Sequence, residues 1–84
     1  MSPQKHYVYV LKNSANPPRY YTGVTSDLDV RLAAHNAGKC RSTASGRPWM
    51  IDVVIQFDDE QRALEFERYL KSGSGCAFAK RHLR

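Results

Sequence analysis

Several features are scarce in this chain, and each shortage excludes a class of protein. The two cysteines, Cys40 and Cys76, form neither a CxxC pair nor a Cys/His ligand spacing, which argues against a zinc site and a disulfide framework. No apolar run approaches the roughly 20 residues of a membrane span. The opening MSPQKH lacks the apolar core of a signal peptide. We therefore expect a reducing, cytoplasmic location and no contact with a membrane.

Acidic residues are also few. The 84 residues include 8 Asp and Glu against 13 Lys and Arg, a net charge of +5. Such an excess favours a polyanionic partner, most often nucleic acid, although it also serves simple solubility. With 42% hydrophobic residues, the chain has the composition and length of one small globular domain, residues 1–84.

Three segments have the residue types of strands. HYVYVL at 6–11 and RYYTGV at 19–24 are rich in aromatic and β-branched residues, and the KNSANPP between them is typical of a turn, so the two should form a hairpin. In WMIDVVIQF at 49–57, apolar residues alternate with others at period two, which predicts the third strand.

Two helices follow from capping and periodicity. Ser26 as N-cap with Asp29 three residues later predicts a helix over 27–37, and Asp58 with Gln61 predicts one over 59–71. The tail after Gly75 suggests a short basic helix. The sequence therefore predicts an α+β fold in which helices flank a small three-stranded antiparallel sheet. The expected order is β-β-α-β-α plus a short C-terminal helix. Residues 38–48 should form an exposed basic loop.

Polar residues interrupt the apolar stripes of both helices. Arg31 and His35 share a stripe with Leu28 and Leu32 and should face inward. Either they are ordinary residues, Arg31 reaching solvent and His35 bonding a carbonyl, or they mark a site where the helix meets the sheet.

Glu67 poses the same question on the second helix, because it lies in the stripe of Ala63, Phe66 and Leu70. A buried carboxylate must be paired, protonated or bound to a cation. The alternative to a cation site is an ordinary ion pair with Lys71 one turn later.

Four of the five tyrosines fall in the predicted hairpin, where packing alone explains strand tyrosines. A buried phenol nevertheless needs a polar partner. Together with Arg, His and Glu on neighbouring elements, these tyrosines would supply the parts of metal-assisted phosphodiester hydrolysis.

The same residues carry a family pattern. The chain resembles the GIY-YIG endonuclease superfamily, in particular small bacterial members related to the N-terminal nuclease domain of the bacterial excinuclease. Residues 7–9, YVY, stand where the family has GIY, and residues 21–23, YTG, where it has YIG. DLDVRLAAHN matches the helix that follows, and ALEFERYLK carries the family's glutamate position. Two departures are Tyr7 in place of glycine and Cys76 where similar chains are often basic.

The resemblance implies a single-metal nuclease in which Glu67 holds Mg²⁺ or Mn²⁺, weakly until DNA supplies phosphate oxygens. Tyr9 or Tyr21 would help to deprotonate the attacking water, His35 would relay the proton, and Arg31 would stabilise charge on the phosphoryl oxygens. Cations flanking this site are expected to hold the DNA backbone: Lys39, Arg41, Arg47, Lys71, Lys80, Arg81 and Arg84.

These observations lead to a DNA endonuclease acting in repair, recombination or mobile-element biology as the first hypothesis. The second is a nucleic-acid-binding module of the same fold with little turnover alone, which needs a protein partner for targeting. A purely structural interaction domain is disfavoured because Tyr9, Tyr21, Arg31, His35 and Glu67 occur together.

Overall fold

The fold is an antiparallel three-stranded sheet with helices on both faces, seen in a computed structural model that describes residues 4–84. Residues 1–3 of the predicted domain lie outside the described residues. The strands are β1 (His6–Asn13), β2 (Tyr20–Thr25) and β3 (Trp49–Phe57), and the helices are α1 (Leu28–Asn36), α2 (Glu60–Leu70) and α3 (Gly73–His82). The strand order β2-β1-β3 and the element order confirm the predicted fold class.

The central strand β1 is enclosed on both faces, and its burial creates two apolar clusters. Successive strand residues point to opposite faces. Val8 therefore packs with Ala63 and Leu70 in the cluster beneath α2 and α3. Tyr9 and Leu11 pack in the cluster beneath α1. One face of β1 thus supports the helix that carries Glu67, and the other supports the helix that carries His35.

Strand β3 contributes to both clusters because its pairing with β1 is irregular. Val10 pairs with Val53, but Leu11 pairs with Ile51, so Asp52 is the extra residue of a β-bulge. The burial of β3 alternates as predicted. The shift nevertheless places Ile51 with the α1 cluster and Phe57 with the α2 cluster, which a period of two does not predict.

The predicted helix starts are wrong by one residue for α1 and α2. Asp27, not Ser26, is the N-cap of α1 and accepts a hydrogen bond from the backbone N–H of Val30 at 3.1 Å. Asp59, not Asp58, caps α2, because Asp58 instead pairs with Lys5 at 2.9 Å.

The third helix begins earlier than Gly75 and is longer than predicted. Ser72 caps it directly after α2, and Gly75 lies in its first turn. A Cβ atom at residue 75 would overlap the carbonyl oxygen of Tyr69, so glycine permits the close crossing of α2 and α3.

The segment 38–48 is only partly the exposed loop that was expected. Its cations Lys39, Arg41 and Arg47 are exposed, but Thr43 is 0% exposed, and a single 3₁₀ turn spans Ala44–Gly46. The indole N–H of Trp49 donates to the Thr43 carbonyl at 2.7 Å. These contacts fold the loop back against the end of α1.

None of the helices in the described part of the chain is long and apolar enough to cross a membrane.

Candidate active site

The site begins with two tyrosines on neighbouring strands. Tyr9 lies on the central strand and is 2% exposed, whereas Tyr21, on the edge strand β2, is half-buried. Their ring centroids are 6.4 Å apart, and the ring of His35 lies 5.9 Å from Tyr9 and 4.9 Å from Tyr21. The three rings therefore form one cluster between the sheet and α1.

Gly23 makes room for this cluster. It pairs with Tyr9 across β1 and β2, and a Cβ atom at residue 23 would overlap the Tyr9 hydroxyl. A glycine inside a strand commonly marks a close approach by another group. The glycine of the YTG motif thus has a direct steric role.

Both ring nitrogens of His35 are engaged inside the protein. The ring is 1% exposed; its Nε2 lies 2.9 Å from the Tyr9 hydroxyl and its Nδ1 lies 2.7 Å from Oγ1 of Thr43. His35 therefore has no free nitrogen for a substrate and can exchange a proton with one only through a neighbour. Tyr9 is the tyrosine that is hydrogen-bonded to it.

Burial controls the charge of both groups. Burial, followed by the charge of Arg31, lowers the pKa of His35 below its ordinary value. Burial, followed by the nearby Tyr21, raises the pKa of Tyr9 well above that of a free phenol. The pair is therefore a neutral imidazole facing a neutral phenol at neutral pH.

Arg31 lies at the mouth of this cluster and not within the core. It lines a narrow crevice with Tyr9, Leu28 and Leu32, but its side chain is exposed, so the expectation that it faces inward is wrong. The long stem of arginine lets the guanidinium reach water from the edge of an apolar stripe. Its charge nevertheless acts on both Tyr9 and His35.

Glu67 does face inward, as predicted, and it is paired. Its side chain is 20% exposed, and its Oε2 lies 3.1 Å from the Nζ of Lys71, which is 50% exposed. The same Nζ lies 5.6 Å from the centroid of the Tyr21 ring. Lys71 thus connects the carboxylate on α2 to the tyrosines, and the ion pair considered from the sequence is present.

The donor set around Glu67 limits which metal the site fits. Within residues 4–84, no three His, Cys, Asp or Glu side chains are grouped as metal ligands. A single carboxylate suits Mg²⁺ or Mn²⁺, which take most of their ligands from water and substrate phosphate. It does not suit Zn²⁺, which requires three or four protein ligands.

The cations predicted to bind DNA are all exposed, but they do not form one patch around the site. Lys71 lies in the site. The guanidinium of Arg84 lies 4.2 Å from the centroid of Tyr20. Within the described residues, no hydrogen bond or ion pair connects Lys80 or Arg81 to the tyrosine cluster. The remaining three, Lys39, Arg41 and Arg47, lie on the loop that leads to Thr43.

Sequence reasoning missed Thr43. It lies in a loop without apolar periodicity, and nothing in its neighbourhood in the sequence indicates burial. For Gly23 a signal was available, since a glycine within an otherwise β-rich segment is informative.

A small α+β domain with two strand tyrosines over a buried histidine, beside one helical carboxylate, is the class that this fold and site define. The family model described as "GIY-YIG catalytic domain" matches residues 5–76. The chain belongs to the GIY-YIG nuclease family.

Its relatives include bacterial and yeast proteins. A UPF0213 protein of Staphylococcus haemolyticus is 37% identical over 71 residues, which cover 83% of this chain and 84% of that protein. Structure-specific endonuclease subunit SLX1 of Meyerozyma guilliermondii is 37% identical over 78 residues, 84% of this chain but only 26% of that protein. The solution structure of a UPF0213 protein from Bacillus halodurans has a TM-score of 0.55 and 28% identity, covering 92% of this chain and 83% of that one.

Proposed function

We propose that this domain is a divalent-metal-dependent DNA endonuclease that hydrolyses phosphodiester bonds in repair or recombination. The observation that carries the proposal is the chain of hydrogen bonds from the Tyr9 hydroxyl through His35 to Thr43. Membership of the GIY-YIG family supports it. So does the name of the yeast relative, a structure-specific endonuclease subunit.

The proton path runs through Tyr9. The attacking water gives its proton to Oη of Tyr9 while the phenol proton passes to Nε2 of His35. The water oxygen bonds to phosphorus, the bond from phosphorus to the leaving oxygen breaks, and that oxygen takes a proton from solvent. Because its pKa is raised, Tyr9 must accept and donate in one step and does not act as a phenolate.

Arg31 and Tyr21 face the reacting phosphate in this proposal. Arg31 is an exposed cation at the mouth of the crevice, where it stabilises negative charge that develops on the phosphoryl oxygens. Tyr21 is the more exposed tyrosine and is suited to hold the water or a phosphate oxygen in place.

Glu67 is the residue that would hold Mg²⁺ or Mn²⁺. When bound, the ion supplies positive charge beside the scissile phosphate. Lys71 already neutralises the carboxylate, so Glu67 alone should bind a divalent ion weakly, and more tightly once phosphate oxygens are present.

One observation favours the second candidate function, a nucleic-acid-binding module with little turnover of its own. The ion pair with Lys71 gives Glu67 a stable partner that is not a metal. In that case the domain depends on a protein partner for targeting or activation.

The two candidates are separated by one assay. Plasmid, branched and single-stranded DNA are incubated with the protein in Mg²⁺, Mn²⁺ or EDTA, and binding to the same DNAs is measured in parallel. The endonuclease proposal predicts cleavage that requires the ion. Binding at saturation without any cleavage would contradict it and support the binding module.

A further inference from the structure

Thr43 is the most completely buried polar residue near the tyrosines that the proposed chemistry does not itself use. It is 0% exposed, lies in the loop after α1, and is anchored by its backbone. Its N–H donates to the carbonyl of Cys40 at 3.2 Å, and its own carbonyl accepts from the Trp49 indole at 2.7 Å. These two contacts hold the side chain against His35 without using the hydroxyl.

The hydroxyl of Thr43 has two neighbours but only one hydrogen. Its Oγ1 lies 2.7 Å from Nδ1 of His35 and 3.3 Å from the carbonyl oxygen of Cys40. A carbonyl oxygen can only accept, so the hydroxyl hydrogen that points to Cys40 leaves an oxygen lone pair for His35. Nδ1 must then carry a hydrogen and donate it to Thr43.

The remaining nitrogen follows from the charge of the ring. A lowered pKa keeps His35 neutral, so a hydrogen on Nδ1 leaves a lone pair on Nε2, which accepts the hydroxyl hydrogen of Tyr9. In the opposite arrangement Thr43 would donate to Nδ1 and Nε2 would donate to Tyr9. The buried Tyr9 hydroxyl hydrogen would then lack an acceptor within residues 4–84, an unfavourable state for a buried donor.

We propose that Thr43 is a positioning residue that fixes His35 as its Nδ1–H tautomer and thereby presents the Nε2 lone pair to Tyr9. The tautomer is a property of the free protein. Its value for catalysis rests on the proposed function, because only this tautomer can take the Tyr9 proton when Tyr9 accepts one from water.

The direct test is the protonation pattern of the His35 ring. Long-range proton–nitrogen correlation spectra of ¹⁵N-labelled protein, recorded near neutral pH without DNA or metal, distinguish the two tautomers and the charged ring. Wild type and Thr43→Ser should show hydrogen on Nδ1. Thr43→Val removes only the hydroxyl and should lose that pattern.

The single tryptophan reports on the fold of the same loop. The indole N–H of Trp49 bonds the Thr43 backbone carbonyl, which the valine variant retains, so its resonance should be unchanged in both variants. If the valine variant fails to fold, the wild-type spectrum still decides the question. Hydrogen on Nε2 in wild type would overturn the proposal, as would an unchanged pattern in a folded Thr43→Val.

Cleavage provides the second measurement. At saturating DNA, Thr43→Val should lower kcat by about 100-fold and Thr43→Ser should restore it, since a general acid–base contribution is of this order. A wild type that shows the Nδ1–H tautomer but never cleaves DNA contradicts the proposed function and leaves the tautomer assignment standing. An active, folded Thr43→Val overturns the positioning role.

Discussion

Tyr9, His35 and Arg31 form a residue-scale system in which burial and one nearby charge determine the protonation state. Tyr9 and His35 are both buried, and Arg31 disfavours a second positive charge close to it. Neutral His35 is the form that can accept a proton. The same arrangement therefore serves the proposed chemistry and makes the fold sensitive to acid.

Acid should destabilise the protein through His35. Its pKa is lowered in the folded state, so below about 6.5, the ordinary value, the unfolded chain binds more protons than the folded one. The free energy of unfolding should therefore be highest above that pH and fall as the pH drops through 6 toward 5. Urea titrations of wild type across this range measure the loss.

His35→Gln cannot titrate and should lose most of this dependence between about pH 7 and 5, whatever its absolute stability. His82→Gln is the matched control, because it removes an exposed histidine from the last turn of α3 and should keep the wild-type dependence. An equal pH dependence in wild type and His35→Gln would contradict the buried neutral histidine.

Arg31 should matter for turnover and much less for binding. A cation that stabilises charge in the transition state adds little to ground-state affinity. Arg31→Ala should lower kcat by roughly 100-fold or more while the Kd for DNA changes little. Arg68→Ala removes the same charge from an exposed position on α2 and should retain kcat. A variant that binds weakly but cleaves normally at saturating DNA would make Arg31 only a contact residue.

At the scale of elements, the loop 38–48 has two faces with different roles. Its buried side is Thr43 against His35, and its exposed side carries Lys39, Arg41 and Arg47. The loop is thus tied to the site at one point and presents cations to solvent around it. Cations near a site that cleaves a polyanion are expected to contact backbone phosphates.

The cleanest test of this surface uses Lys39 and Arg41. Arg47 is less suitable because its Nε donates to the carbonyl of Ala44 at 2.7 Å, so its removal would also alter the loop. In Lys39→Gln with Arg41→Gln, DNA affinity should fall equally for all sequences. The slope of log affinity against log salt should become shallower by about 0.9 per lost phosphate contact on duplex DNA.

Two exposed cations on α2 provide the control for that measurement. Arg62→Gln with Arg68→Gln removes the same net charge from a different element. If both double variants change the salt slope equally, the effect is one of net charge and the loop has no specific role. Unchanged binding in the loop variant would show that it does not touch DNA.

At the scale of the whole molecule, the sequence predicts the parts that depend on local pattern. Glu67 is found facing inward because an i, i+3, i+4 stripe is a local property of one helix. The alternation of β3 is confirmed for the same reason. The family pattern adds the order of the motifs, so the positions of Tyr9, Tyr21 and His35 follow with it.

The parts that fail depend on contacts between distant segments. Asp58 and Asp59 are equally good caps by sequence, and only the distant Lys5 decides that Asp58 is the one diverted from α2. The burial of Thr43 depends on His35 and Trp49 meeting around it. The bulge at Asp52 depends on how β3 pairs with β1. No local pattern contains this information.

The central claim, that Glu67 is the residue through which a divalent ion supports DNA cleavage, is tested most directly by Glu67→Gln. The amide retains the shape of the side chain but loses the charge that would hold the ion. Cleavage of plasmid DNA in Mg²⁺ or Mn²⁺ is compared among wild type, Glu67→Gln and the control Glu65→Gln, which changes an exposed carboxylate on the same helix. We predict that Glu67→Gln folds and binds DNA like wild type but does not cleave it, while Glu65→Gln remains active. Undiminished cleavage by Glu67→Gln would contradict the account.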